Sequence, residues 1–448
     1  MFRKDSITIK EWLENSNKAL LVTGARQIGK TWLIRDEIDK SGLKRFEINF
    51  IDQPDMVNYL NAEMSAEDFL VKLKMIMPEE YKIHETVVFF DEIQKCPEIV
   101  TKIKFLVDEG SFRYAMSGSL LGVELKGISS APVGYLSIIR MYPMDFEEFM
   151  IANGISKTTL DMLKDKFETC QPVDDFIHQK LLSLFFVYLI VGGMPDAVKK
   201  YIETKDIREV DKIQRDIVEL YKEDFSQYEH EDKKLKLKSI YEIVPAELNK
   251  QNKKFVFTML DKELKFDRYE NSFLWLKDAG VVIPVYNADS PVIPLLASKS
   301  SNVFRLFSSD IGLLTSAYPA ETKIELISQN GEVNNGAHFE NAVAQQLLAN
   351  GFEPYFCKKK NVGELDFLIE MGGKVVPIEV KSGKNYKSHK ALDNYLDVSE
   401  YHLERAYVFS TSNVEKEGNI IYLPIYMSYL LKEPKIEQLI VNLDISGL

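Results

Sequence analysis

Gly24-Ala25-Arg26-Gln27-Ile28-Gly29-Lys30-Thr31 fills every fixed position of G-x-x-x-x-G-K-[ST]. That spacing is suited to polyphosphate. Its glycines let backbone N–H groups turn inward on phosphate oxygens, and a helix opening at Lys30 adds its positive end. Lys30 would reach the β- and γ-phosphates of ATP or GTP, and Thr31 would hold Mg²⁺. A second element, Val87-Val88-Phe89-Phe90-Asp91-Glu92, is an apolar run ending in two carboxylates. Asp91 is placed to bind Mg²⁺ and Glu92 to polarise an attacking water. One strand later, Ser117-Gly118-Ser119 offers hydroxyls where a γ-phosphate sensor sits, although a polar strand end alone accounts for Ser117 and Ser119 nearly as well.

A different chemistry is written near the C-terminus, in GELDFLIEMGGKVVPIEVK (363–381). Folded as a hairpin about Gly372-Gly373, it sets Leu365, Phe367 and Ile369 against Val380, Ile378 and Val376 as one apolar face. The other face carries Asp366 across from Glu379 and Glu364 across from Lys381. Opposed carboxylates cost tenths of a kcal/mol when solvated. A divalent cation between them, Mg²⁺ or Mn²⁺, would remove that repulsion. Lys381 beside it would position a water or stabilise charge on a phosphate oxygen. In AHFENAVAQQLLANG, Glu340 shares a helical face with Ala344 and Leu347 and so points to the packed side, where it adds a third carboxylate. The alternative is an amphipathic hairpin whose polar face is merely solvated, with Lys381 pairing with Glu364.

These residues need scaffolds. Between residues 18 and 145, KALLVT, RFEINF, TVVFF and FRYAMS read as strands separated by helical patterns, which predicts an α/β core with a largely parallel sheet. The pattern turns helical from 146 to 230, and the stretch DKKLKLK (232–238) reads as a boundary. LKSIYEIVPAEL, KKFVFTML and RYENSFLWLKDAG then read as short helices, and VVIPVYN and VFRLFS as strands, an order that suggests a winged helix. ETKIELISQNGEVNNGA reads as a loop or linker before a last α/β unit. The predicted organisation is a P-loop nucleotide-binding core over 1–150, a helical lid over 151–231, a winged-helix domain over 232–325 and a last α/β domain, holding the carboxylate hairpin, over 326–448.

The formal net charge of −12 argues against non-specific coating of nucleic acid or anionic membrane. From Phe356 to Lys390, however, eight lysines stand against four acidic residues, so Lys358, Lys359, Lys360, Lys384, Lys387 and Lys390 are candidates for phosphate contacts. Cys96, Cys170 and Cys357 are widely spaced and suggest neither a zinc cluster nor a disulfide framework, which fits a cytoplasmic protein. Leu181 to Val191 is too short to span a bilayer and reads as a buried helix. The six histidines show no ligand spacing.

GARQIGKT, FFDEIQ, SGS, YPMDFEEF and GGMP together resemble an uncharacterised group of bacterial and archaeal AAA-type ATPases, in which the ATPase precedes a winged-helix segment and a region similar to the PD-(D/E)XK nucleases. DIVELYKEDF, the IVPAEL-to-KDAGVV segment and LFSSDIGLL extend the likeness over nearly the whole chain. The resemblance implies adenine nucleotide, the usual roles for Lys30, Thr31, Asp91 and Glu92, and a C-terminal D…E-x-K site of Asp366, Glu379 and Lys381 completed by Glu340. Many relatives carry a basic residue where Tyr135 follows Gly134, so Arg140 and Arg113 are the candidate arginine fingers. The leading expectation is an ATPase coupled to a DNA-directed, metal-dependent nuclease-like domain, with homo-oligomers among the assemblies such ATPases form. Its rivals are a nucleotide-dependent switch that binds protein or nucleic acid without cutting, and a motor whose last domain is a structural cap.

Overall fold

Ala19-Leu20-Leu21-Val22-Thr23 is apolar at all but its last position, as a strand covered on both faces requires, and it forms β1 (Ala19–Thr23) inside a parallel sheet. With β2 (Lys44–Asn49), β3 (Thr86–Asp91), β4 (Arg113–Gly118) and β5 (Leu136–Arg140), the order is β2-β3-β4-β1-β5. The computed structural model describes residues 1–60, 65–119, 134–227, 231–250, 255, 270–328 and 335–434. Alternate residues of each strand enter opposite cores: Leu20, Val22, Val87 and Phe89 one, Leu21, Val88 and Phe90 the other. The helices α1 (Asp5–Asn15), α2 (Lys30–Ser41), α3 (Asp55–Tyr59), α4 (Ala66–Ile76) and α5 (Glu98–Glu109) accompany this sheet.

A helical layer follows: α6 (Phe146–Ala152), α7 (Lys157–Thr169), α8 (Asp175–Val191), α9 (Pro195–Thr204) and α10 (Ile207–Gln227). The DFEE of YPMDFEEF is a capping box, in which Asp145 accepts from the N–H of Glu148 and Glu148 accepts from that of Asp145. α8 holds the apolar run and is largely buried. No helix among the described residues is long and apolar enough to cross a membrane.

The chain continues in α11 (Glu231–Leu248), which takes up the lysine-rich stretch read as a boundary, and in α12 (Glu270–Asp278). KKFVFTML lies outside the described residues apart from Phe255. The strands β6 (Val282–Ala288) and β7 (Lys299–Ser308) pair as the expected antiparallel hairpin. They are not a free-standing wing. Tyr286 and Asn287 pair in parallel with Tyr355 and Phe356, so the hairpin edges an eight-stranded sheet whose other members are C-terminal. After α13 (Ile311–Ser316), α14 (Ala320–Ser328) occupies part of the stretch expected to be a loop. Then come α15 (Gly336–Ala349), β8 (Tyr355–Lys359), β9 (Gly363–Met371), β10 (Lys374–Val380), α16 (Lys390–Leu396), β11 (Ala406–Ser410), β12 (Glu415–Glu417) and β13 (Ile420–Pro424).

The β9–β10 hairpin has the expected register, with Ile369 opposite Val376 and Phe367 opposite Ile378. Its apolar face differs from the expectation. Against β8, the pairing shifts between Leu365 and Leu368, a bulge around Asp366 and Phe367. Phe367 and Ile369 therefore pack in the inner core, while Leu365 joins Leu368 in the outer one. A bulge adds a residue to one strand and re-aims its side chains.

Three of the segments quoted for the resemblance meet at one buried junction. Gly193 of GGMP donates its N–H to Asp310 Oδ2 (2.6 Å), and its carbonyl accepts from Met144 N (2.7 Å). Asp310 also caps α13 through the N–H of Leu313 (2.9 Å), and burial pushes its carboxyl up to about 6. Two glutamines of α15 close the junction: Gln345 accepts from Ile311 N (2.9 Å) and Gln346 from Phe146 N (3.1 Å). One continuous apolar core runs from Leu20 through Phe185 to Phe339 and Phe367.

Candidate functional site

The phosphate loop leaves β1 at Gly24 and enters α2 at Lys30. A Cβ at Gly24 would lie 2.4 Å from the carbonyl oxygen of Met141, so the tight exit from the strand needs glycine. A cavity of about 610 Å³ opens over the loop, lined by Gly29, Lys30, Thr31 and Glu92 and, from α9, by Pro195 and Lys199. Its position and polar floor fit a nucleoside triphosphate.

Thr31 Oγ1 donates to Asp91 (3.0 Å to Oδ1), Asn49 Nδ2 donates to Asp91 Oδ2 (3.0 Å), and Ser117 also donates to this carboxylate. Burial pushes the Asp91 carboxyl up, while the two hydroxyl donors pull it back. This pairing of hydroxyl and carboxylate is the donor set that the Mg²⁺ of MgATP takes. Glu92 has φ +55°, in the left-handed region, a rare backbone state for such a residue and one found at functional turns. Gln94 Nε2 donates to Glu92 and to Ser119 Oγ (3.2 Å).

Lys30 is buried and donates to the carbonyls of Gly24 (3.0 Å) and Ala25 (2.7 Å). Burial lowers its amine to about 8, against the pull of Glu92 and Asp91. Phosphate charge would restore the proton. ATP binding is therefore expected to take up protons, increasingly so between about pH 7 and 9, as titration calorimetry in buffers of different ionisation enthalpy measures. Uptake that is independent of pH, or unchanged in Lys30→Met, would contradict this.

Arg26 does more than line the loop. Its Nη1 pairs with Asp224 Oδ1 on α10 (2.6 Å), its Nε donates to Ser119 Oγ (3.3 Å), and its carbonyl accepts from Tyr221 OH (3.0 Å). The phosphate loop, the end of β4 and the helical layer are thus tied through one residue. Nothing local in the sequence marks the pairing of Arg26 with Asp224, which lies in DIVELYKEDF. Arg113 donates to the carbonyls of Trp12 and Leu13 at the end of α1, which commits it there. Arg140 lies at the end of β5 and lines a separate cavity that reaches Gly24.

The C-terminal residues also converge. Glu340 and Glu379 are buried, the second with Oε2 unpartnered. Lys381 Nζ lies 2.8 Å from Glu379 Oε1, and Asp366 Oδ2 accepts from the N–H of Val380 (3.0 Å). Burial, then the charge of Asp366, raises the Glu379 carboxyl to about 8, although Lys381 opposes the shift. Among them sits a residue that sequence reasoning missed. Arg305 of β7 is 2% exposed, pairs with Glu364, and has Nη1 3.5 Å from both Glu340 Oε2 and Asp366 Oδ1. The carboxylates have the oxygen chemistry for Mg²⁺ or Mn²⁺, but a cation already stands between two of them, and as arranged they do not fit a metal ion. No group of three His, Cys, Asp or Glu side chains among the described residues is arranged to hold one.

The nearby lysines are partly committed. Lys358 pairs with Glu364 (2.5 Å), Lys387 with Glu415 (2.7 Å), and Lys359 donates to Tyr401 OH (2.7 Å). His389 is held between Asp393 (2.9 Å) and Tyr422 OH (2.8 Å), away from any phosphate role.

The sheet order, the phosphate loop and the Asp91–Thr31 pair define an ATPase-like P-loop domain of the AAA type. Residues 16–150 match the AAA domain family, and residues 182–324 and 335–427 match two domains of unknown function, DUF8612 and DUF4143. No curated protein sequence matches the chain. Among solved structures, it is similar to the Walker-type ATPase PABY2304 of Pyrococcus abyssi, at 15% identity over 70% of this chain and 95% of that one, TM-score 0.41. It is also similar to the RuvB Holliday junction branch migration motor of Thermotoga maritima, at 16% identity over 63% of this chain and 89% of that one, TM-score 0.29.

Proposed function

We propose that this chain is an ATP-driven switch. MgATP binds and is hydrolysed at the P-loop, and occupancy of the γ-phosphate position alters how the rest of the chain holds DNA. The observation that carries this reading is Arg26, a phosphate-loop residue bonded both to Ser119 and to Asp224 of α10. A γ-phosphate arriving beside Arg26 competes with Asp224 for the guanidinium, so nucleotide state changes how firmly α10 is tied to the loop.

In this scheme the backbone from Gly24 to Thr31 cradles the phosphates, and Lys30 moves from the carbonyls of Gly24 and Ala25 to the β- and γ-phosphates. Thr31 and Asp91 hold Mg²⁺, Glu92 takes a proton from the attacking water, and Ser117 and Ser119 sense the γ-phosphate through Asp91 and Arg26. Lys360, Lys384 and Lys390 are exposed and supply the positive charge that DNA phosphates need.

The test is the affinity for duplex, single-stranded and branched DNA, by fluorescence anisotropy, with no nucleotide, with ADP and with ATP. The expected result is a difference of about fivefold or more between the ADP and ATP states that collapses in Asp224→Ala. Equal affinity in all states, or no DNA binding, would remove DNA from the proposal. A second reading, cleavage of DNA by Glu340, Asp366, Glu379 and Lys381, is favoured by their convergence and opposed by the guanidinium among them. Strand cleavage with Mg²⁺ or Mn²⁺ that vanishes in Lys381→Ala would establish it.

A further inference from the structure

The C-terminal carboxylate cluster poses a charge problem. Glu340, Glu364, Asp366 and Glu379 come from one helix and two strands, and two of them are almost wholly removed from water. Burying carboxylates together is costly unless something positive is buried with them. Lys358 and Lys381 contribute from the rim, at 50% and 25% side-chain exposure. The interior is served by Arg305.

Arg305 is placed as a structural ion would be. It lies on β7 opposite Val285, in the otherwise apolar run VFRLF, and its guanidinium rests over the ring of Phe356 at 4.7 Å. Burial opposes its charge, and Glu340, Asp366 and Glu364 more than restore it. Its Nη2 is bonded to Glu364, while Nη1 lies equally far, 3.5 Å, from a carboxylate oxygen of α15 and one of β9. That point, shared by two carboxylates from different elements, is where a bridging divalent ion would be sought. A guanidinium brings one charge in a planar fork, whereas Mg²⁺ or Mn²⁺ brings two and needs about six oxygens around it. The two cannot share the space.

We infer that Arg305 is the resident cation of this cluster, built into the chain in place of a divalent metal, so that the C-terminal domain takes no such ion while that side chain is present. Glu379, with one oxygen on Lys381 and the other unpartnered, then remains as an unused ligand facing the cluster. The inference is independent of the switch proposed above, because it is read without ATP or DNA.

The experiment is Mn²⁺ binding to the full chain without nucleotide, followed by electron paramagnetic resonance, in an Asp91→Asn background that silences the phosphate site. The otherwise wild-type chain is expected to bind no Mn²⁺ up to about 1 mM. Arg305→Met combined with Glu364→Gln removes the guanidinium and one of its compensating charges, and should bind one Mn²⁺ per chain at least about tenfold more tightly. Adding Glu379→Gln should abolish that site. Mn²⁺ bound with Arg305 in place and lost in Glu379→Gln would overturn the inference, as would a folded Arg305→Met/Glu364→Gln chain that binds none. The chain with Arg305 in place decides the matter even if no Arg305 variant folds. Its melting temperature should not move with added Mn²⁺, and a Glu379-dependent rise would refute the proposal.

Discussion

Glu92→Gln should lower ATP turnover by about 10²–10³-fold while leaving ATP affinity within a few-fold of the unaltered chain. Gln keeps the size of the side chain and its contact with Gln94, but it cannot accept the proton of the attacking water. Gln has the same branching as Glu and meets the left-handed backbone at this position (φ +55°) on equal terms, so the substitution isolates chemistry from conformation. Phosphate release under saturating MgATP measures the first quantity, and equilibrium binding of a fluorescent ATP analogue the second. Lys30→Ala provides the contrast, since it should lose affinity as well as turnover. Turnover retained in Glu92→Gln would shift the base role to another group and leave the phosphate site as a binding pocket.

The second large effect is expected far from any phosphate. Gly193→Ala would place a Cβ 2.0 Å from the carbonyl oxygen of Met144 and 2.6 Å from its nitrogen, and both contacts are with backbone. Neither can step aside without breaking the pair of bonds that joins Met144, Gly193 and Asp310. Overpacking of this kind costs about 3 kcal/mol, and here it also threatens a buried hydrogen-bond network. Chemical denaturation should show a lower midpoint for this variant. Gly42→Ala is the control. Its Cβ meets nothing within 4 Å, and only the φ of +79° resists it, for a cost of about 1 kcal/mol. Equal losses in the two variants would mean that the junction is softer than its contacts imply.

The sequence carried the ATPase sheet in unusual detail, because strands buried on both faces leave long apolar runs and the phosphate loop has fixed residues at fixed spacings. It did not carry β5, a short edge strand in which Ile138 is 63% exposed and the apolar pattern fades. The hairpin register was legible from Gly372-Gly373, but the bulge at Asp366 was not, since a bulge arises from pairing with β8 rather than from the strand itself. Pairings between distant residues were likewise hidden: nothing local links Arg26 to Asp224, or Gly193 to Asp310. Arg305 does have a visible signal in the sequence, a single charged residue inside VFRLF. A buried strand tolerates such a residue only where partners await it.

The edge position of β6 and β7 has a bearing on inheritance. The segments that match two separate families, 182–324 and 335–427, contribute strands to the same sheet, joined at Tyr286–Tyr355 and Asn287–Phe356. Exchanging either segment with that of a distant relative would graft a foreign strand onto a native edge and a foreign guanidinium, or none, onto native carboxylates. In this chain the two segments are therefore expected to vary in step, as two halves of one heritable unit rather than as interchangeable parts.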